Sequence, residues 1–179
     1  MVGLGIELRQ DQWDKISDES LTFILSESDT YLQETITSFR EVVNRCYYTI
    51  GVYFALFAYS ATELIKLSES NSFKYIPYSV ILLGALTGII LILYTLLPKK
   101  MMLIGTQAKY LLQNEFLKLS GNKQIREYKI QTIINSNDGC EKNNSYTKEN
   151  IKFFKISIYV VIFSIALSGA LFLWIVWRS

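Results

Sequence analysis

Three uncharged apolar runs constrain this chain more than any other feature; they lie at positions 46–62, 76–97 and 156–177. A helix rises about 1.5 Å per residue, so about twenty residues cross a hydrocarbon core of roughly 30 Å. The second and third runs reach that length, and the first does so once Leu64 and Ile65 extend it past Glu63. The expected fold class is therefore all-α: an integral membrane protein with three transmembrane helices and a cytoplasmic helical layer. The division reads as an N-terminal cytoplasmic helical region (1–45), spans at 46–66, 76–97 and 156–177, and a basic cytoplasmic helical loop (98–155). Neither polar segment has the roughly 100–150 residues of an ordinary catalytic domain.

Charge is segregated. The residues before Cys46 include four basic and nine acidic side chains, whereas 98–155 holds eleven basic and five acidic ones. Tail and loop are suited to attract one another, or the loop to meet an anionic partner. Lys99 and Lys100 open the loop, and Lys152 and Lys155 close it. The positive-inside rule places that loop in the cytoplasm, at the cell inner (plasma) membrane. Counting crossings puts the N-terminus inside and the C-terminus outside. Tyr47, Tyr48, Tyr94, Phe153 and Phe154 then mark the inner interface, and Tyr75, Tyr78, Trp174 and Trp177 the outer one. The acid-rich start lacks the basic and apolar regions of a signal peptide, so the first span is expected to act as its own insertion signal.

Ser28-Asp29 reads as the start of one long helix over 29–66. Leu32, Ile36, Phe39, Val43, Cys46, Ile50 and Tyr53 recur at alternating spacings of four and three, a heptad seam. Its partner is either other helices of the same chain or copies of the same helix around a symmetry axis. Thr49, Tyr53, Leu56, Ser60 and Glu63 share one side of the first span. Facing an axis, they would line a pore, with Leu56 as an apolar constriction and Glu63 as an acidic ring at the outer mouth. Facing neighbouring spans, they would be a buried polar face, with Glu63 snorkelling to the interface.

Elsewhere, Ser20 is suited to cap a short helix within 1–27, a segment that reads equally as a mobile tail. After Pro98 a helix is expected to resume, with a stripe of Met101, Ile104, Ala108, Leu111, Leu112 and Leu119 and a stop at Gly121. A short helix follows at 122–134, and the Asn- and Ser-rich stretch 135–150 reads as a flexible loop. Small residues form helix-packing stripes: Gly84 and Gly88 in the second span, Ser164, Ser168, Ala166 and Ala170 in the third, and Gly51, Ala55, Ala58 and Thr62 in the first.

The chain has no histidine, and no nucleophile–base pair, carboxylate dyad, metal cluster or phosphate-binding glycine loop stands out. No catalytic residue, metal or cofactor is expected, and Cys46 and Cys140 read as free thiols. No charge lies deep within a span, which argues against a proton-coupled transporter or voltage sensor. Lys109, Lys118, Lys123, Arg126 and Lys129, interleaved with aromatic residues such as Tyr128, suit a nucleotide or short oligonucleotide. Lysines of this kind equally suit anionic lipid headgroups.

The layout, with the seam 32–53, three spans and a basic loop, resembles the small membrane effectors of bacterial antiphage nucleotide-signalling systems. These include the Hailong-type channel and the CBASS and Pycsar membrane effectors. That resemblance implies a homo-oligomeric ion channel or pore-forming effector gated from the cytoplasm by an anionic ligand. In the Hailong type it is a tetramer controlled by oligonucleotides. The alternative is a non-conducting scaffold or accessory subunit that recruits a cytoplasmic partner through the seam.

Overall fold

The computed structural model describes residues 10–67, 73, 75–105, 118–119 and 121–178. All regular structure among them is helical: α1 (Gln10–Trp13), α2 (Asp18–Leu67), α3 (Tyr75–Leu96) and α4 (Asn122–Arg178). Three of these, α2, α3 and α4, are long and apolar enough to cross a membrane.

Helix α2 begins earlier than the sequence suggests. The Ser17 hydroxyl accepts the Ser20 N–H at 3.2 Å, and the Ser17 carbonyl accepts the Leu21 N–H at 2.9 Å. Ser17 is therefore the N-cap, with Asp18 and Glu19 in the positive first turn. Ser20 is not the cap, and Ser28-Asp29 is not a start: the Ser28 hydroxyl bonds back to the Ile24 carbonyl inside the helix. Helix α3 stops just before Pro98, which lacks the N–H that a continuing helix needs. The expected helix after Pro98 is absent over 99–105, and the remainder of that stripe up to position 117 lies outside the described residues. Gly121, with φ 58°, stands immediately before α4, and the helix it was expected to stop falls mostly outside the described residues.

The largest correction concerns 135–150. This stretch is no loop; α4 is one helix of 57 residues. Asparagine and serine have low helix propensity, but tertiary packing overrides so weak a preference.

The chain divides into two compact units, one of 1–40 with 99–147 and one of 41–98 with 148–179. In the first, the polar unit, α2 and α4 run parallel. Asp18 meets Arg126, Thr22 meets Lys129, Asp29 meets Ser136 and Thr35 meets Asn143. The offset between partners stays at 107 or 108 residues, so the two helices advance in register. Trp13, Leu21, Ile130 and Ile133 form one core cluster, and Leu32, Ile36 and Cys140 form a second. Gly139 lets α4 approach closely, because a Cβ there would sit 3.1 Å from the Met102 Cβ and 3.2 Å from a Leu32 methyl.

In the second, the apolar unit, parts of α2 and α4 pack with α3. Its core is Val42, Cys46, Tyr53, Ile89, Ile92 and Val161. Gly84 and Gly88 permit this packing. A Cβ on Gly84 would collide with the Ser164 side chain, and one on Gly88 would lie 2.7 Å from Val161 and 2.8 Å from the Tyr53 ring. Ala166 and Ala170 are exposed, as are Gly51, Ala55, Ala58 and Thr62.

Candidate functional site

The apolar unit is apolar outside and mixes small polar side chains into its apolar core. Its buried face on α4 carries Asn150, Ser157, Ser164 and Ser168; α2 adds Ser60 and the Tyr53 hydroxyl, and α3 adds Thr95. Its outer surface displays Phe54, Tyr59, Leu83, Ile90, Leu93, Ile162, Phe163, Leu173 and Trp174. Water as solvent favours the opposite arrangement. Hydrocarbon as solvent favours this one, because apolar side chains outside cost nothing there and small polar ones inside pack helices closely.

Three of the internal hydroxyls are satisfied locally. Ser157 bonds the Phe154 carbonyl, Ser164 the Val160 carbonyl and Thr95 the Ile92 carbonyl. Cross-helix links join Cys46 Sγ to Thr95 Oγ1 at 3.2 Å and Tyr53 Oη to Ser157 Oγ at 3.5 Å. Two residues stand apart. Ser60 Oγ and both amide atoms of Asn150 have no partner among the described residues, although these residues are only 0% and 1% exposed. An unpaired buried polar group costs about 1–3 kcal/mol, so Ser60 Oγ and Asn150 Oδ1 are open to a donor such as water, and Asn150 Nδ2 to an acceptor.

The expected pore-lining set falls on this interior. Tyr53 and Ser60 are buried, and Thr49, Leu56 and Glu63 are half-buried. Leu56 packs on the core cluster, and Glu63 accepts a 2.8 Å hydrogen bond from Lys66 one turn on. The seam follows suit. Leu32 and Ile36 are buried against Cys140, while Phe39 and Val43 are half-buried. Of the two expected partners for the seam, the intramolecular one occupies it within this chain.

No family model, curated protein or solved structure matches this chain. The candidate site therefore rests on geometry alone.

Of the six expected ligand contacts, five are described. Lys109 lies outside the described residues; Lys118 and Lys123 are exposed. Arg126 is engaged in structure: its guanidinium donates to the carbonyls of Trp13 and Ile16 and to the Asp18 carboxylate, each at 2.6 Å. It thereby satisfies carbonyls where α1 ends and the chain turns into α2. Lys129 donates to the Thr22 hydroxyl at 2.7 Å, and the Tyr128 hydroxyl accepts from Gln124 at 3.4 Å. A groove of about 610 Å³ in the polar unit is lined by Asp29, Thr30, Gln33, Glu34, Thr37, Ser38 and Ile104. None of the five described contacts lines it, and its two carboxylates disfavour an anion.

Of the α4 half of the interior, only Ser164 and Ser168 stand out from the sequence, as a packing stripe. The longer signal is one of polarity rather than apolarity: Ser136, Asn143, Asn150, Ser157 and Ser164 recur every seventh residue.

Proposed function

We propose that the chain is a multi-pass protein of the cell inner membrane, with the N-terminus cytoplasmic and the C-terminus outside. In this reading it acts as a homo-oligomeric ion channel or pore-forming effector, and the apolar unit is the membrane part. The observation that carries the reading is the serine-lined interior with unpartnered Ser60 and Asn150 inside an apolar jacket. A hydroxyl path that is closed by packing, yet incompletely hydrogen-bonded, gains water if its helices part. Tyr53, Ser60, Ser157, Ser164 and Ser168 would line that path, with Leu56 beside it. Of the expected contacts, Lys118 and Lys123 are exposed and would meet an anionic ligand from the cytoplasm. The layout adds antiphage defence as the biological setting.

A second reading, a non-conducting membrane scaffold, draws on the seam being filled within one chain. Conductance of the purified protein in planar bilayers separates the two. The channel reading expects discrete events that fall at least tenfold in Ser60→Leu and lose cation preference in Glu63→Gln. Silence of correctly inserted protein, with and without nucleotide or oligonucleotide, selects the scaffold.

A further inference from the structure

Helix α4 carries a second face that the closed bundle does not use. Lys148, Lys152, Lys155, Tyr159 and Ile162 recur at spacings of four and three, and all are exposed. Phe163, beside Ile162, is 68% exposed. The three lysines have no ion-pair partner among the described residues. No acidic residue lies on this stripe. Of the nearby acids, Glu149 accepts the Tyr94 hydroxyl at 3.4 Å, and Glu41 is 3.9 Å from Arg45 on α2.

We propose that this face binds an anionic diacyl phospholipid. Lys148, Lys152 and Lys155 hold the headgroup phosphate, and one acyl chain lies along Tyr159, Ile162 and Phe163. The proposal rests on the membrane reading above and not on conduction. Three ammonium groups spread over seven residues, about 10 Å of helix, so they extend from the aqueous edge into a headgroup layer several ångströms deep. Lysine stems snorkel, which lets Lys155 reach the phosphate plane from below. A zwitterionic headgroup would bring its own cation against three lysines, whereas an anionic one brings only the complementary charge. A soluble phosphate would use the lysines but leave the adjoining apolar stripe idle. The continuity of the cationic and apolar segments on one helix face therefore points to a lipid.

The test is native mass spectrometry of the detergent-extracted full chain, titrated with phosphatidylglycerol or phosphatidylcholine. Lysines near an anionic surface each contribute enough that removing two predicts a loss of roughly thirtyfold. Phosphatidylglycerol should be retained in preference, and Lys152→Gln with Lys155→Gln should abolish that preference, while Lys15→Gln in the polar unit leaves it intact. Equal retention of the two lipids, or a preference that survives the double substitution, overturns the proposal. So does an intermolecular disulfide formed by Tyr159→Cys in intact membranes, because a second copy would then cover the face. Failure of the membrane reading shows separately, as release of the unaltered chain by alkaline carbonate.

Discussion

Asn143 and the backbone of Met102 hold each other through two hydrogen bonds: the side-chain carbonyl accepts the Met102 N–H, and the side-chain amide donates to the Met102 carbonyl, both at 3.0 Å. The same amide also donates to Thr35 at 3.2 Å. One fully buried side chain thus imitates a β-partner for an irregular segment and fixes the register of α2 against α4. A buried polar residue at a seam position has this effect where a shifted alignment would break its hydrogen bonds.

Replacing Asn143 with Leu leaves both Met102 groups and the Thr35 hydroxyl short of a partner. The expected loss is about 1–3 kcal/mol, because Met102 is 38% exposed and its groups can turn to water, while Thr35 keeps its bond to the Leu32 carbonyl. Thermal unfolding of the detergent-extracted chain measures it. An unchanged midpoint would show that the segment does not depend on this clamp.

Arg126 separates a structural role from ligand binding. Its planar fork serves two carbonyls and a carboxylate at once, which an ammonium group cannot reproduce. Arg126→Lys is therefore expected to destabilise the chain by about 1–3 kcal/mol in the absence of any ligand. The part of the fork that meets Asp18 contributes little, since that carboxylate is 62% exposed. A variant of native stability would return Arg126 to the pool of ligand contacts.

Glycines of similar sequence context should respond in opposite ways. Gly84→Ala pushes a methyl into Ser164, so α3 and α4 must separate or Ser164 must change rotamer. Gly51→Ala meets nothing within 4 Å and adds a better helix former. The first is expected to lower the unfolding midpoint, and the second to leave it unchanged or raise it slightly. Equal effects would contradict the close packing at Gly84.

Cys140 is buried beside Leu32 and Ile36. Burial, helped by the nearby Asp29 carboxylate, pushes its thiol above the ordinary value. Because the raised value belongs to the folded state, the associated stability is complete below the ordinary thiol pKa and is lost as pH climbs through the raised one. Alkylation of Cys140 by maleimide at neutral pH should be much slower in the native chain than in the denatured chain. Equal rates would show the site to be open.

The sequence made the three apolar helices legible because twenty consecutive apolar residues have few alternatives. The second span was placed within one residue of α3, 76–97 against Tyr75–Leu96. The start of α2 and the middle of α4 were not legible, for a common reason. Ser28-Asp29 is a good local cap and 135–150 a good local loop, but local preference is weak. What overrides it is a long parallel pairing in which Ser136, Asn143 and Thr35 are bonded across the seam. The candidate site was half visible: Tyr53 and Ser60 stood out on α2 and Ser164 and Ser168 as a packing stripe on α4, while Asn150 and Ser157 fall outside any apolar pattern. Arg126 looked like a ligand contact because composition cannot distinguish a free guanidinium from one already engaged by carbonyls.

The account depends on hydrocarbon surrounding the apolar unit, and paired spin labels test that most directly. Labels at Phe163 and Leu83, read by power saturation in reconstituted vesicles, should collide with oxygen far more than with a water-soluble nickel chelate. A label at Lys123 should show the reverse. Nickel collisions exceeding oxygen collisions at Phe163 and Leu83 would place those side chains in water and contradict the account.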